Sequence, residues 1–202
     1  MKLYYSPGAC SLSPHIVLKE LGLPFEAVLA STKTHKLADG TDYYTINPKG
    51  YVPLLELDDG QRLAEGPAIV QYLADKVPAK GLIAPAGSMQ RYRQIEWLTF
   101  VSTELHKQYS PLFNAAMPEE AKALFRDKLR GRYVWLNQQL EGRDYLMGES
   151  FTVPDAYLYT VSNWAPRVNV DVSDLPNVQA YIARIAARPA VQAAMKAEGL
   201  LK

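Results

Sequence analysis

Residues 1–30 constrain the fold more than any other part of the chain. An apolar strand at residues 3–5 runs through a Pro-Gly turn into a helical pattern that ends at Gly22, and a second strand pattern follows at 25–29. Two strands joined in this way lie parallel, because a parallel pair needs a crossover connection, usually a helix. The chain is therefore predicted to open with a β-α-β unit.

The only cysteine, Cys10, stands where this first helix is expected to begin. Backbone N–H groups in the first turn of a helix lack intrahelical partners and, with the helix dipole, favour an anion. A thiol at that position is expected to have a lowered pKa, and the thiolate is its nucleophilic form. From this stretch alone, a reactive thiol and a small buried apolar side chain both remain open.

A β-hairpin is predicted next. A turn at 47–50, a strand at 54–57 and an Asp-Gly hairpin signal precede a second short strand, and Glu65 then opens a helix. The polar stretch 31–46 predicts a loop or a further helix. The expected order of elements, βαβαββα, is typical of a thioredoxin-like fold.

Strand patterns disappear after a linker rich in proline, glycine and alanine at residues 78–88. The patterns that follow are all helical. We therefore expect two domains: a thioredoxin-like domain over residues 1–80 and an all-helical domain over residues 87–202.

Two patterns in the helical part bear on function and on folding. Thr99, Thr103 and His106 share one polar stripe of a helix at 3.6 residues per turn. At a later helix start, Thr152 and Asp155 have the spacing of a capping box, with aspartate in place of the usual glutamate. A capping box specifies a helix N-terminus, so the expected role of Asp155 is in folding.

Composition excludes several classes of function. With 22 basic and 21 acidic side chains, the net charge of +1 gives no field that would attract nucleic acid or an anionic membrane. No apolar run approaches the roughly 18 residues of a membrane span, and no signal peptide is recognisable, so a cytoplasmic location is expected. Three histidines and one cysteine, at no ligand spacing, predict no metal site.

Four short motifs occur in the chain in a fixed order. They are Tyr-Ser-Pro-Gly-Ala-Cys-Ser at 5–11, Asn-Pro-Lys-Gly-Tyr-Val-Pro at 47–53, Glu-Gly-Pro-Ala-Ile at 65–69 and Glu-Leu-His-Lys at 104–107. Together with the two-domain architecture, these motifs resemble the soluble glutathione transferases, and in particular their bacterial, beta-class branch. The resemblance covers the chain from end to end.

The resemblance implies a contact for each part of glutathione, the expected co-substrate; no other cofactor is expected. Val52 and a cis Pro53 would pair with the cysteinyl main chain. Glu65 and Gly66, at a helix start, would hold the γ-glutamyl ammonium and carboxylate. His35 stands where relatives place a basic residue for the glycine carboxylate, which would make that contact sensitive to pH.

The implied reaction is attack of the glutathione thiolate on a small hydrophobic electrophile. Tyr5 or Ser11 would donate to the thiolate, His106 would lie near the sulfur, and Cys10 would lie close enough to form a mixed disulfide with it. The full set of expected glutathione-binding residues is Cys10, His35, Tyr51, Val52, Pro53, Glu65, Gly66, Thr99, Thr103, Glu104, His106 and Lys107.

The resemblance further implies a homodimer in which Thr103 and Glu104 reach glutathione across the interface. Tyr109, Phe113 and Trp164 are candidates for the wall that receives the electrophile, although core packing explains the same aromatic side chains. Two alternatives to a transferase remain. One is a monothiol oxidoreductase, similar to glutaredoxins, that depends on Cys10; the other is a non-catalytic binding protein built on the same fold.

Overall fold

The computed structural model describes residues 1–201, which form two compact units. The first unit comprises residues 1–80 together with 188–201, and the second comprises 81–187. The first stretch of this unit ends at Lys80. The last residues of the chain were expected in the helical domain, but they group with the first unit because a C-terminal helix, Pro189–Ala197, packs against the first helix, Leu12–Leu21.

The first unit is built on a four-stranded mixed sheet. Its strands are β1 (Lys2–Tyr5), β2 (Glu26–Leu29), β3 (Leu54–Glu56) and β4 (Arg62–Ala64), in the spatial order β2-β1-β3-β4. β1 pairs in parallel with β2 and antiparallel with β3, and β3 and β4 form an antiparallel hairpin. The predicted β-α-β unit and the predicted hairpin are both confirmed.

Two helices are interspersed with these strands: α1 (Leu12–Leu21) connects β1 and β2, and α2 (Gly66–Asp75) follows β4. Eight of the ten residues of α1 are buried, as expected for a helix that packs against other elements on more than one side. The helix that the pattern βαβαββα places between β2 and β3 is present only as a single 3-10 turn, Tyr43–Thr45. Within residues 31–46 only Tyr43 is fully buried, while Leu37 and Ile46 pack partly buried against the core, so no continuous apolar stripe stabilises a longer helix.

The second unit is helical, as predicted. A π-helical segment, Val101–His106, joins two of its helices into one long rod. The α-helices in chain order are α3 (Met89–Phe100), α4 (Lys107–Phe113), α5 (Glu119–Gln139), α6 (Val153–Ser162) and α7 (Pro176–Ala186), and the C-terminal helix of the first unit is α8 (Pro189–Ala197). None of the helices within residues 1–201 combines the length and apolar composition needed to cross a bilayer.

The core of the second unit is organised around α6, all ten of whose residues are buried. The predicted capping box is present at its start. One carboxylate oxygen of Asp155 accepts from the main-chain N–H and the hydroxyl of Thr152, at 2.8 and 2.9 Å. The other accepts from the Leu146 N–H and the Tyr181 hydroxyl, both at 2.9 Å. Asp155 therefore joins the start of α6 to the preceding loop and to α7.

Replacing Asp155 with asparagine is expected to lower the free energy of unfolding by about 2 kcal/mol. The amide NH2 group would replace a carboxylate oxygen that now accepts two hydrogen bonds, and it would face two donors that it cannot satisfy. Urea unfolding at neutral pH measures the loss. The matched control is Asp171→Asn, which changes an exposed aspartate that accepts hydrogen bonds from Ser173, and it should change stability by less than about 0.5 kcal/mol. Equal losses in the two variants would contradict the assignment.

The same carboxyl predicts a pH dependence of stability. Burial raises the pKa of Asp155 to about 6 in the folded protein, although its four hydrogen bonds oppose the rise. The unfolded chain has the ordinary value of about 4, so between these values the folded state binds the proton more tightly and gains stability as pH falls. As pH falls from about 7 to about 4, the free energy of unfolding of the wild type should therefore rise relative to that of Asp155→Asn. A constant difference between the two unfolding free energies over this range would contradict the prediction.

Candidate functional site

The loop between β1 and α1, residues 6–11, closes on itself through Ser11. The Ser11 hydroxyl donates to the Ser6 carbonyl at 3.2 Å and accepts from the Ser6 N–H at 3.1 Å, and the side chain is fully buried. A hydroxyl has one proton, and here that proton is directed into the loop. The expectation that Ser11 donates to a bound thiolate does not agree with this geometry, which gives Ser11 the role of shaping the loop.

A buried carboxylate from the C-terminal end of the chain holds this loop. Glu198, the residue that follows α8, accepts from the Gly8 N–H at 2.9 Å through one oxygen and contacts Nδ1 of His15 at 2.8 Å through the other. The side chains of His15 and Glu198 are both almost fully buried. Sequence reasoning missed Glu198. The available signal was an acid at a helix C-terminus, where the helix dipole disfavours it.

The surroundings of His15 define its protonation. Its Nε2 atom is buried without a hydrogen-bond partner, and the imidazole meets the rings of Tyr5 and Phe25 edge-on, with centroids 5.9 and 5.3 Å away. A proton on Nε2 would leave a buried donor unsatisfied, so the ring carries its proton on Nδ1 and donates it to Glu198. Burial, reinforced by the charge of Glu198, raises the pKa of Tyr5. Tyr5 therefore keeps its phenolic proton at neutral pH, as its expected role as a donor requires.

The thiol of Cys10 points at the next segment of the site. Its Sγ donates to the Val52 carbonyl at 3.2 Å. Burial raises the pKa of this thiol to about 12, and the charge of Glu65 adds to the rise. The expectation of a lowered pKa was wrong, because Cys10 precedes α1 by two residues and its proton is held by a carbonyl, while nearby N–H groups offset burial only in part.

The segment at residues 51–53 runs beside Cys10 and enters β3. Its Val52–Pro53 bond is cis, as predicted. The Tyr51 carbonyl accepts from the Tyr43 hydroxyl at 2.9 Å and from the side-chain amide of Asn47 at 2.7 Å, so the segment is fixed from behind. Val52 and Pro53 are buried, whereas the Tyr51 side chain is 67% exposed. These contacts hold the Val52 main chain in a defined position.

Glu65 and Gly66 lie next to this segment, at the start of α2. Glu65 has a φ of +69°, which is rare for any residue with a side chain and costs about 1–3 kcal/mol. Its exposed carboxylate pairs with the Lys49 ammonium at 2.9 Å. Lys49 was not among the predicted site residues. A Cβ added at Gly66 would contact only Pro53, at 3.9 Å, so this backbone has room for a small side chain.

His35 is tied into the loop that precedes the site. Its Nδ1 donates to the Gly50 carbonyl at 3.2 Å, and its ring packs on that of Tyr44 with centroids 4.6 Å apart. With the proton on Nδ1, a neutral imidazole has only a lone pair on Nε2. The expected contact between His35 and a carboxylate would therefore need a second ring proton, on Nε2.

The remaining predicted residues lie in the second unit, where their polar groups have partners within the chain. The Thr99 and Thr103 hydroxyls donate to main-chain carbonyls one turn earlier, at 2.8 and 3.0 Å. Glu104 forms a two-bond ion pair with Arg132 of α5, at 2.6 and 2.8 Å. The charge of Glu104, expected to reach a ligand of the partner subunit, is thus neutralised within its own chain. Lys107 is exposed at the start of α4.

His106 stands at the end of the π-helical segment, among aromatic side chains. Its Nδ1 atom lies 2.5 Å from the Tyr157 hydroxyl, and its ring meets that of Trp164 edge-on at 5.0 Å. Tyr109 and Phe113 also pack edge-on against Trp164, at 5.6 and 5.9 Å. The three aromatic side chains proposed as a wall are therefore assembled in one cluster. Tyr109 and Trp164 are buried, whereas Phe113 is 52% exposed.

Comparisons with known proteins agree with the sequence motifs. The family models that match are those of the glutathione S-transferase N-terminal domain, over residues 8–76, and C-terminal domain, over residues 94–189. Glutathione S-transferase GstA of Escherichia coli O157:H7 is 48% identical over 99% of this chain and 100% of its own.

Two solved structures are similar over the whole length of both chains. A sphingomonad glutathione S-transferase complexed with glutathione is 47% identical, with a TM-score of 0.95 and coverage of 100% of each chain. A bacterial beta-class glutathione S-transferase of Sphingomonas chungbukensis is 44% identical, with a TM-score of 0.96 and the same coverage.

The raised pKa of Cys10 predicts slow alkylation. At pH 7–8 the folded protein should react with iodoacetamide about a hundredfold or more slowly than the urea-unfolded chain, whose thiol has a pKa of about 8.5. The rate should still be rising at about pH 10, because the thiolate fraction is still rising there. The chain has one cysteine, so mass spectrometry of the intact protein measures the rate at that residue alone. A rate that levels off below about pH 9 would contradict the assignment.

Proposed function

The chain belongs to the glutathione S-transferase family, and from that premise we propose that its first unit binds glutathione along Cys10, Val52 and Gly66. The chain is a glutathione transferase with a thioredoxin-like N-terminal fold and an all-helical second part, and its resemblance to the bacterial beta-class enzymes is confirmed. The reaction proposed for it joins the glutathione thiolate to a small hydrophobic electrophile.

One observation carries the proposed binding site: three chain segments form a continuous surface within the first unit. Cys10 contacts Val52 through its thiol, Val52 leads through the cis bond into Pro53, and a Cβ built on Gly66 would lie 3.9 Å from the Pro53 ring. An extended segment and a helix N-terminus therefore lie side by side. The first suits the main chain of a cysteinyl residue, and the second suits a carboxylate.

The charges around this surface suit the two ends of glutathione. The Glu65 carboxylate is exposed and is held by a strained main chain, the kind of strain that persists where the surrounding structure fixes a functional group. We assign it to the γ-glutamyl ammonium, which would compete with Lys49 for the carboxylate. The side chain of His35 is assigned to the glycine carboxylate.

Glutathione, and not Cys10, is proposed as the nucleophile. A thiol with a pKa of about 12 is almost entirely protonated at neutral pH, and its one proton is donated to the Val52 carbonyl, so Cys10 is poorly suited to attack. Tyr5, which keeps its phenolic proton, is assigned as the donor to the glutathione sulfur. Hydrogen bonds from such donors favour the thiolate form of bound glutathione. The same pKa disfavours the monothiol oxidoreductase, in which Cys10 itself would have to attack.

Three further proposals follow from the family. The aromatic cluster around Trp164 is proposed to receive the electrophile, the protein is proposed to work as a homodimer, and its location is proposed to be the cytoplasm. The shape of the cluster supports the first of these proposals, because one member, Phe113, is exposed while the others are buried. A non-catalytic binding protein would have no use for the strained Glu65, so this alternative is disfavoured.

The test is glutathione conjugation to chlorodinitrobenzene by the wild type, Cys10→Ala and Glu65→Gln. Cys10→Ala should keep activity within about threefold, as expected for the loss of one hydrogen bond. Glu65→Gln should raise KM for glutathione roughly tenfold or more with kcat nearly unchanged, because it removes a charged partner of the ligand. Gly66→Ser, which adds a hydroxyl where there is room, should lower KM.

The matched control is Glu119→Gln, since Glu119 is as exposed as Glu65 and also pairs with a basic side chain. It should leave both constants unchanged. Absence of conjugation by the wild type would contradict the proposed reaction. A KM for Glu65→Gln equal to that of the control would contradict the proposed binding site. Abolition of activity in Cys10→Ala would contradict the proposal that Cys10 is not essential to the reaction.

A further inference from the structure

The imidazole of His106 is held by a tyrosine from a different helix. Tyr157 belongs to α6, is 3% exposed, and places its hydroxyl 2.5 Å from Nδ1 of His106, with the two rings nearly perpendicular at 85°. Trp164 closes another side of the imidazole at 5.0 Å. Because all ten residues of α6 are buried, the hydroxyl is fixed by a rigid element. His106 is therefore held in one orientation.

The π-helical segment accounts for how His106 reaches Tyr157. The sequence predicts a regular helix with Thr99, Thr103 and His106 on one stripe, but the wider turn of residues 101–106 changes that register. Thr99 and Thr103 are exposed, whereas His106 is half-buried and packs against α6. Single π-helical turns are rare and occur frequently at functional sites.

The chemistry of the two groups gives the hydrogen bond its direction. A phenol O–H is more acidic than the N–H of a neutral imidazole, and an imidazole nitrogen is a stronger base than a phenol oxygen. The favoured arrangement therefore has the Tyr157 O–H donating to Nδ1. Because Nδ1 then supplies a lone pair, the ring proton of neutral His106 is on Nε2.

We propose that Tyr157 is a positioning residue that fixes His106 as the Nε2–H tautomer, so that the neutral ring offers an N–H donor to the anion of the conjugation reaction. That anion is the group that leaves the electrophile proposed to bind at the aromatic cluster around Trp164, in the same unit as His106. The inference rests on the proposed function in one respect, namely that His106 acts on this anion. Tyr157 itself contacts neither substrate in this account.

The test combines nitrogen chemical shifts with kinetics for Tyr157→Phe, which keeps the ring and removes the hydroxyl. The chain has three histidines, and the His106 signals in a ¹⁵N-histidine-labelled sample are assigned by their loss in His106→Asn. In the wild type, Nε2 should show the shift of a protonated nitrogen and Nδ1 that of a bare one. In Tyr157→Phe the two shifts should move toward each other as both tautomers become populated.

The kinetic prediction is a fall in kcat for conjugation of about threefold to tenfold, with KM for glutathione unchanged within about twofold. The control is Tyr133→Phe, which removes another buried hydroxyl of the same unit, one that donates to Ser162 and pairs with Tyr109. This control should leave the His106 shifts and kcat as they are. It thereby separates a specific effect on His106 from a general loss of buried hydrogen bonding.

Three results would overturn the inference: a proton on Nδ1 in the wild type, unchanged His106 shifts in Tyr157→Phe, or unchanged kcat once those shifts have moved. The wild-type spectrum decides the tautomer even if Tyr157→Phe fails to fold. The spectra also need no activity. Full activity in His106→Asn, or no conjugation by the wild type, would count against the proposed function. Because the spectra report the tautomer without any activity, either result would be distinguishable from a wrong tautomer.

Discussion

The glutathione site proposed for this transferase depends on one buried carboxylate. Glu198 accepts from the Gly8 N–H of the β1–α1 loop and from Nδ1 of His15 on α1, and a buried charge is tolerated only when such partners satisfy it. At the other end of α8, Arg188 pairs with Glu20 at 2.6 and 3.0 Å. The helix is thus fixed to α1 at both ends, and the loop that carries Cys10 is fixed with it. The last helix of the chain therefore belongs to the first unit.

The position of that loop determines the chemistry available to its cysteine. Because the loop directs Cys10 at the Val52 carbonyl, the thiol is partly buried, donates to that carbonyl and keeps its proton. The neighbouring strand start and the N-terminus of α2 offer main-chain groups and a carboxylate, which suit a peptide ligand with charges at both ends. A transferase that binds glutathione and activates the sulfur of the ligand fits this arrangement better than an enzyme whose own cysteine attacks.

Local sequence signals predicted the features that depend on neighbouring residues. The β-α-β opening, the hairpin at Asp59-Gly60 and the capping box of Asp155 each depend on residues close in sequence, and the motif at 47–53 identified the cis Pro53 through its family. The features that were missed depend on distant partners. Glu198 lies 190 residues from Gly8, and the expected fall in the pKa of Cys10 took account of the helix dipole but not of what covers the sulfur. The absence of a full helix before β3 was missed for the same reason. A segment with a weak apolar pattern forms a helix only where tertiary packing stabilises it.

The most direct test of the central claim is a titration of ¹⁵N-labelled wild-type protein with S-methylglutathione, an unreactive analogue of the ligand, followed through the backbone amides. The account predicts that the largest shifts fall on Cys10, Val52 and Gly66, in three segments of the first unit, and that they saturate together with a single dissociation constant. Shifts confined to residues outside these segments, or no saturable shift at millimolar analogue, would contradict it.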